Sequence, residues 1–399
     1  MTFCQEGQDY YSGLITTKTY RILVFFIQNK QVDIFLITRP IMVKTMSDKV
    51  KATPEDRKIR LAVVGCGRIS RNHFGAIEQH QDNIELKAVC DVDTNVLKEH
   101  VDKYGVKGYR SLDELLEQDK PDIISICTPS GIHPDQAILA AAAGVHVMTE
   151  KPMATRWKDG LRMVRACDKA GVTLFVVKQN RCNSTLQLLK RTIDEKRFGK
   201  INMVHLNVFW SRPQGYYDQA RWRGTWELDG GAFMNQASHY VDLIDWLFGP
   251  VDSVQAMTGT LGRDIEVEDT GVLNVRWRSG TLGSMAVSML TYPKNFEGSI
   301  TILGEKGTVR IGGVAVNDIQ HWEFEDERDY DNNIQNANYE TTSVYGFGHP
   351  LYYKNVIDVL RGHAEPETDG REGLKSLEVL IAAYLSARDG RTVSLPLEY

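Results

Sequence analysis

The sequence predicts an α/β protein in two parts: a doubly wound parallel sheet, followed by an α+β part built on an open, mostly antiparallel sheet. From Lys58 onward, short apolar runs alternate with helical segments of roughly 10–15 residues, which is typical of a parallel sheet with helices on both faces. Near residue 199 this alternation stops. One long apolar helix and then a series of strand-like runs follow. We therefore expect one domain over 58–178 and a second over 179–399.

The individual elements follow from apolar runs of strand length and from helical periodicity. In the first domain we predict strands at 59–65, 84–91, 122–127, 145–148 and 172–177, and helices at 68–79, 94–103, 132–143 and 156–170. In the second domain we predict helices at 231–248, 349–362 and 371–388, and strands at 251–261, 269–278, 281–290, 298–304 and 307–312.

Composition excludes several classes of protein. The net charge is −5 and the basic residues are scattered along the chain, whereas a nucleic-acid-binding face needs clustered basic residues. The six cysteines form no CxxC pair, so we expect reduced thiols, four of them in or beside buried strands. Cysteine and histidine never fall at zinc-ligand spacing, and we predict no metal site.

Residues 1–57 precede the first domain as an N-terminal extension. Its apolar runs are interrupted by polar residues and stay short of the ~18 residues that a membrane span needs. A polar run begins at Met46 and leads into the first strand. We expect Met46 to be the natural start, with 1–45 as translated upstream sequence.

A glycine-rich turn follows the first predicted strand. Gly65 and Gly67 permit a tight turn and close approach of a pyrophosphate, and the next helix offers its N-terminus through Arg68 and Ile69. Ser70 replaces the third glycine of the usual fingerprint. At the end of the second strand, Asp91 can accept hydrogen bonds from the adenosine ribose and repel a 2′-phosphate. The pattern predicts a Rossmann domain that binds NAD in preference to NADP.

Two further motifs lie at strand ends, where ligands of open α/β sheets bind. The run 127–133 contains Thr128, Ser130 and His133, and the run 149–152 contains Glu150 and Lys151.

Together these motifs resemble the glucose–fructose oxidoreductase/inositol dehydrogenase/MocA family over nearly all of 58–399. In the second domain, Trp222-Arg223 and the segment 230–239 match the family's WR…GGG…D…H pattern. The resemblance implies a sugar dehydrogenase. The predicted cofactor-binding residues are Gly65, Gly67, Arg68, Ile69, Asp91, Thr128, Ser130, His133, Glu150, Lys151, Gln179, Trp222 and Arg223.

Oxidation of a secondary alcohol needs a base for the hydroxyl proton. His239 is the best candidate because an unperturbed imidazole titrates near neutrality. Lys151 can stabilise the developing alkoxide. Asn235, four residues before the histidine on the same helix face, stands where many family members have an aspartate. An asparagine cannot relay a proton, so either His239 works with Lys151 alone or the proton leaves by another route.

The predicted substrate region is rich in arginine and aromatic residues, which suit a carboxylate or phosphate and a flat ring. Arg181 and Arg221 are the candidates for a substrate carboxylate, and Arg212 is expected to face solvent. The predicted substrate-binding residues are Lys151, Asn180, Arg181, Tyr216, Arg221, Asn235, His239, Tyr345 and His349.

Within the family, these stretches resemble the UDP-N-acetylglucosaminuronate 3-dehydrogenases of bacterial lipopolysaccharide pathways. The resemblance implies a UDP-linked amino-sugar uronate as substrate, NAD as cofactor with 2-oxoglutarate for its recycling, a cytoplasmic location, and a homodimer or homotetramer. Two alternatives stay open: a dehydrogenase of another sugar or polyol such as inositol or an aldose, and a non-catalytic, NAD-bound sugar sensor.

Overall fold

The computed structural model describes residues 17–28, 31–42, 53–341, 344 and 346–397. Contacts divide the chain into two units, 1–51 and 52–399. In the first unit, β1 (Thr17–Gln28) pairs antiparallel with β2 (Gln31–Met42). The predicted start at Met46 lies outside the described residues. No helix among the described residues is long and apolar enough to cross a membrane.

The second unit begins with alternating strands and helices. They are β3 (Ile59–Val64), α1 (Ser70–Gln79), β4 (Ile84–Cys90), α2 (Thr94–Tyr104), β5 (Lys107–Tyr109), α3 (Leu112–Gln118), β6 (Ile123–Ile126), α4 (His133–Ala142), β7 (His146–Thr149), α5 (Trp157–Ala170) and β8 (Leu174–Val176). The strands form one parallel sheet in the order β5-β4-β3-β6-β7-β8. The predicted Rossmann sheet is confirmed.

The central strands of this sheet are buried on both faces, because helices cover both sides. All four residues of β6 are buried, and so are five of the six in β3. Since every strand is parallel, the carboxyl ends of β3, β4, β6 and β7 meet at one edge of the sheet.

The rest of the unit carries a second sheet. Its elements are α6 (Ser184–Asp194), β9 (Ile201–Phe209), α7 (Gln214–Asp218), α8 (Ser238–Phe248), β10 (Val251–Gly259), β11 (Thr270–Trp277), β12 (Leu282–Ser288), β13 (Glu297–Gly304), β14 (Gly307–Gly312), β15 (Asp318–Phe324), α9 (His349–Leu360), α10 (Gly370–Asp389) and β16 (Val393–Ser394).

These eight strands run in the order β15-β14-β13-β9-β12-β11-β10-β16. Every described pairing is antiparallel except that of β9 with β12. The predicted open, mostly antiparallel sheet is therefore confirmed. The helix α10 packs on β10 and on α8, whereas α9 returns to pack on α1 beside the first sheet.

The predicted helix 231–248 is interrupted. A π-helical turn, Ala232–Gln236, precedes α8, and the Ala237 N–H donates to the Ala232 carbonyl at 2.8 Å. This bond spans five residues instead of four. Turns of this kind are rare and frequently occur at functional sites.

The five described cysteines are free and lie inside the molecule, whereas Cys4 lies outside the described residues. Cys66, Cys90, Cys127 and Cys167 are buried and Cys182 is partly buried.

Candidate active site

A cleft of about 560 Å³ lies at the carboxyl edge of the parallel sheet. It is lined by the predicted cofactor-binding residues except Gln179. They are Gly65, Gly67, Arg68, Ile69, Asp91, Thr128, Ser130, His133, Glu150, Lys151, Trp222 and Arg223. Tyr216 and Asn235 also line this cleft, where it approaches the second sheet.

The glycine turn has the geometry that close approach of a ligand requires. Gly65 has φ of +89°, and a Cβ there would lie 2.9 Å from the backbone of Cys127 and Thr128. At Gly67, by contrast, a Cβ would meet no atom within 4 Å, so its backbone borders open space. Ser70 donates to the Gly67 carbonyl at 2.7 Å and thereby fits the position of the third glycine.

Asp91 connects this turn to the next strand end. Its carboxylate accepts the Cys66 N–H at 2.7 Å and the Asp93 N–H at 2.8 Å. The carboxylate is therefore held at the rim of the cleft, where a ribose would lie.

His133 joins the two other strand-end motifs. Its ring nitrogens lie 2.7 Å from the Thr128 carbonyl oxygen and 3.1 Å from the Pro152 carbonyl oxygen. The side chain is buried, and this burial lowers its pKa. His133 thus supports the wall of the cleft and fixes Lys151, which precedes Pro152.

A small cavity of about 30 Å³ lies next to the cleft and shares Arg68, Lys151, Tyr216 and Asn235 with it. Its other lining residues are Trp210, Arg212, Gln236, His239 and Val344. The Lys151 ammonium donates to the backbone carbonyl oxygen of Asn235 at 3.1 Å. The structure therefore brings together the three residues predicted to be catalytic: Lys151, Asn235 and His239.

His239 is neutral at neutral pH. It is buried, and burial together with the charges of Lys151 and Lys178 holds the pKa of its imidazole well below the usual range. Its Nε2 lies 3.0 Å from Nε2 of Gln179, which is also buried. Gln179 therefore supports the imidazole instead of lining the cofactor cleft.

Lys151 has a pKa that is lowered, first of all by burial. A less basic ammonium more readily shares a proton with an alcohol oxygen. Proton abstraction from a hydroxyl needs a base and a group that stabilises the charge on the oxygen. The neutral imidazole of His239 and the desolvated ammonium of Lys151 lie beside one cavity and suit these two roles.

The π-helical turn is held by residues distant in sequence. The Ala232 N–H donates to the Glu268 carbonyl, the Phe233 N–H to the Glu268 carboxylate, and the Met234 N–H to the Tyr384 hydroxyl. Helix N-termini leave such N–H groups without partners. Gly231 is required because a Cβ there would lie 1.7 Å from Glu268 Oε2. Burial raises the pKa of Glu268 to about 7.

Asp229 is a site residue that the sequence analysis did not identify. It is 1% exposed, and its carboxylate accepts the Gly224 N–H at 2.7 Å and the side-chain amide of Asn235. Burial raises its pKa to about 6. The sequence signal was its position directly before Gly230-Gly231, the glycines that open the segment matching the family pattern.

His349, predicted to bind substrate, lies behind Glu150 instead. Its Nε2 is 3.5 Å from Glu150 Oε1, and His73 Nε2 is 3.0 Å from the same oxygen. All three side chains are buried. The two imidazoles hold the pKa of Glu150 well below its usual range, so this group is a buried carboxylate that fixes the strand end bearing Lys151.

The prediction for Arg181 is corrected. Its guanidinium pairs with Asp242 at 2.7 and 2.8 Å and with Glu372 at 3.3 Å, and the side chain is buried. A guanidinium with these partners is not available to a substrate carboxylate. Asn180 is buried, Arg221 is exposed, and neither lines the cleft or the small cavity. Tyr345 lies outside the described residues.

The expectation that Arg212 faces solvent is also corrected. Arg212 is 9% exposed and lines the small cavity. Its guanidinium donates to Gln236 Oε1 at 2.9 Å and to Asn295 Oδ1 at 3.1 Å. It also lies over the rings of Trp210 and Tyr216. These contacts hold the guanidinium at the wall of the cavity that His239 also lines.

Comparison with known protein families decides the assignment. Residues 59–178 match the NAD-binding Rossmann fold of the oxidoreductase family GFO_IDH_MocA, and residues 190–395 match its C-terminal alpha/beta domain. The chain belongs to the Gfo/Idh/MocA oxidoreductase family.

Two solved structures are similar to this chain over nearly their whole length. The WlbA dehydrogenase from Chromobacterium violaceum, solved with NADH and UDP-GlcNAcA, is 67% identical with a TM-score of 0.84, covering 88% of this chain and 99% of that one. WlbA from Bordetella pertussis, with the same two ligands, is 64% identical with a TM-score of 0.85, covering 87% and 100%. A curated relative, D-apiose dehydrogenase from Paraburkholderia graminis, is 27% identical over 372 residues, covering 85% of this chain and 90% of that protein.

NAD is the cofactor of this Gfo/Idh/MocA oxidoreductase, and the residues present fit it. The open backbone at Gly67, the N-terminus of α1 and the carboxylate of Asp91 suit a pyrophosphate and a ribose. When bound, NAD accepts the hydride of the substrate. Lys151 and Asn235 line both the cleft and the small cavity, so they mark the boundary between cofactor and substrate.

Proposed function

We propose that this chain oxidises the C3′ hydroxyl of UDP-N-acetyl-D-glucosaminuronate to the 3-keto sugar. The observation that carries the proposal is the charge of the small cavity. Arg68, Lys151 and Arg212 line it, and none of its described lining residues is acidic. A buried carboxylate without a partner is costly, and a cation-lined cavity compensates that cost. The UDP-GlcNAcA found in both WlbA structures carries such a carboxylate.

The reaction breaks one C–H bond and one O–H bond of the substrate and forms a carbonyl group. The hydride passes to NAD, and His239 takes the hydroxyl proton as a neutral imidazole. Lys151 donates to the same oxygen and stabilises the negative charge that develops there. Arg212 binds the uronate carboxylate and thereby orients the ring so that the C3′ hydroxyl faces His239.

The solvent face of the antiparallel sheet supports a further part of the proposal, a homodimer or homotetramer. Met203 of β9 lies between Leu282 of β12 and Leu303 of β13, and these side chains are 41–48% exposed. Neighbouring exposed apolar side chains of this kind are typical of a protein interface. Light scattering tests this part: Met203→Lys is expected to lower the molar mass, and an unmodified chain that is monomeric would contradict it.

The cellular setting follows from the proposed substrate. A 3-keto nucleotide sugar is an intermediate, and a PLP-dependent aminotransferase would consume it. We place this step in the cytoplasm, in the synthesis of lipopolysaccharide sugars, with 2-oxoglutarate recycling the NADH. Loss of the 340 nm absorbance of protein-bound NADH on addition of 2-oxoglutarate, which would be reduced as NADH is oxidised to NAD, tests the recycling step.

A substrate panel tests the proposed activity. Absorbance at 340 nm would be followed in single turnovers with UDP-GlcNAc, its uronate, UDP-glucuronate, myo-inositol and glucose. We expect rapid formation of NADH with the N-acetylated uronate and a lower kcat/KM with the uncharged UDP-GlcNAc. Preferred turnover of myo-inositol or glucose would contradict the proposal, and absence of turnover with every compound would favour a sensor.

A further inference from the structure

The side-chain amide of Asn235 has two different ends, and its contact with Asp229 decides which way each end points. Its NH₂ group donates hydrogen bonds and its Oδ1 accepts them. Asn235 lines both the cofactor cleft and the small cavity, so it lies where the proposed cofactor and substrate sites meet. The NH₂ group donates to Asp229 Oδ1. This contact turns the amide nitrogen toward Asp229, so Oδ1, the acceptor end, points away from that carboxylate.

Asp229 dictates this orientation because a carboxylate can only accept hydrogen bonds. Its other oxygen, Oδ2, accepts the Gly224 N–H at 2.7 Å, so both oxygens meet donors. Asp229 lines neither the cleft nor the small cavity. It acts on the site through Asn235 and through the loop that contains Gly224.

The charges around Asp229 favour the ionised form at neutral pH. Burial raises its pKa to about 6, while the hydrogen bonds from Gly224 and Asn235 and the charges of Lys151 and Arg223 keep the pKa from rising further. The charge of Asp229 also acts on Tyr217 of α7, whose hydroxyl stays protonated because burial raises its pKa. At pH 7 to 8 the amide of Asn235 therefore faces an acceptor.

We propose that Asp229 is a positioning residue: it turns the amide of Asn235 so that Asn235 Oδ1 accepts a hydrogen bond from a hydroxyl of the sugar. The inference rests on the proposed function, since it concerns the same substrate site. It explains how this chain works with an amide at position 235. The carboxylate is retained one contact away, where it orients the amide instead of carrying the proton.

Asp229→Asn tests the proposal because it keeps the size of the side chain and supplies its own NH₂ group. If the oxygen of the introduced amide keeps the Gly224 N–H, the introduced NH₂ group faces Asn235 and turns that amide around. We expect kcat to fall roughly 10–100-fold, because the bond between the sugar hydroxyl and Asn235 Oδ1 is lost and a hydrogen bond linked to a charged group is worth about 1.5–3 kcal/mol. NADH affinity, measured by fluorescence titration, is expected to change less than about twofold, as for a group outside the cofactor cleft.

The decisive measurement is the coupling between the two residues. Asn235→Ala lacks the amide that Asp229 orients. Adding Asp229→Asn to this variant is therefore expected to lower kcat no further. The inference would be overturned if the two fold-losses in kcat multiplied in the double variant. It would also be overturned if kcat of Asp229→Asn stayed within about twofold of that of the unmodified protein.

Thr225→Val is the matched control for loosening of the loop. Thr225 donates to the Trp222 carbonyl at 2.7 Å within the same loop and does not touch Asn235. We expect a lower melting temperature or weaker NADH binding, with kcat unchanged. A kcat as low as that of Asp229→Asn would show that Asp229 serves only as a clamp for the loop.

The pH dependence of kcat provides a second measurement, which does not require that an Asp229 variant folds. Protonation of Asp229 removes the fixed acceptor, so kcat of the unmodified protein is expected to fall below about pH 6. That limb should be absent in Asn235→Ala, and its persistence there would overturn the inference. Lack of turnover of the uronate by the unmodified protein would instead refute the proposed function.

Discussion

The cofactor side and the substrate side of the active site are built in different ways. On the cofactor side, neighbouring strand ends of one sheet supply backbone groups, and each motif is a run of a few consecutive residues. On the substrate side, the π-helical turn depends on Glu268 and Tyr384, which are 35 and 150 residues away from the groups they bind. Where backbone groups bind the cofactor, a side chain can change without loss of the site, as Ser70 in place of the third glycine shows. The substrate side depends instead on a few charged side chains.

The largest expected effect lies on the substrate side. His239→Ala removes the neutral imidazole, and we expect kcat to fall by a factor of about 10²–10⁴, as for loss of a general base. Because His239 does not line the cofactor cleft, NADH affinity should not change. Stopped-flow absorbance at 340 nm and fluorescence titration measure the two quantities. Near-normal turnover would remove His239 from the mechanism and transfer the base role to Lys151.

The pH dependence of kcat sharpens the same prediction. The pKa of His239 is depressed in the folded protein, so the imidazole stays neutral well below pH 6.5. No loss of activity due to His239 itself is expected between pH 8 and pH 6.5. A limb near 6.5 that disappears in His239→Ala would show that the imidazole is not desolvated as the structure describes.

The next largest effect concerns the charge of the small cavity. Arg212→Ala is expected to raise KM for the uronate roughly 10–100-fold, the range for a charged hydrogen bond, and to affect UDP-GlcNAc much less. Arg212→Lys keeps the charge but loses the planar contacts to Gln236 and Asn295, so it should recover only part of the affinity. An equal rise of KM for both sugars would mean that Arg212 only supports the fold.

Arg181→Ala is the comparison for a structural arginine. Removing it leaves Asp242 buried beside a single cation, Lys178, at 3.4 Å. Breaking a buried pair costs about 3–5 kcal/mol of stability. We therefore expect a lower melting temperature, with any change in kinetics shared by charged and uncharged sugars.

On the cofactor side, Asp91→Ala should have a smaller and different effect. We expect NAD affinity to fall by about tenfold, in line with loss of hydrogen bonds to a charged group, and NADP to gain relative to NAD. The turnover number at saturating NAD should change little. Equal use of NAD and NADP by the unmodified protein would contradict the role of Asp91.

The cofactor side was easier to predict from the sequence than the substrate side. The strand-end motifs predicted the cofactor cleft, since residues such as Gly65 and Asp91 act at the positions where the chain turns. Apart from the helix 231–248, the predicted elements agree with the structure to within a few residues, but β5, α3, α6, β9, α7, β15 and β16 were not predicted. In β9 the buried residues Val204, Leu206 and Val208 alternate with more polar ones, a period-two signal that identifies a strand. The boundary at residue 178 remains a prediction.

The substrate side was predicted less well because its contacts are distant in sequence. Arg181 and Arg212 look alike in a sequence, and only tertiary contacts show that the first pairs with Asp242 and the second lines a cavity. The helix 231–248 was predicted as continuous since the apolar pattern does not record a hydrogen bond from Phe233 to Glu268. The same distance concealed Asp229, whose role depends on its contact with Asn235.

The smallest expected effect is that of Arg221→Ala. Arg221 was predicted to bind the uronate, but its side chain is exposed and does not line the small cavity. Exposed charges contribute about 0–1 kcal/mol, so KM for the uronate should change by less than about fivefold. Initial rates measured beside those of Arg212→Ala compare the two arginines under the same conditions. If Arg221→Ala raised KM as strongly as Arg212→Ala, the loop bearing Arg221 would have to close over the substrate. The description of the site as a cofactor cleft and a charged substrate cavity would then have to include this loop.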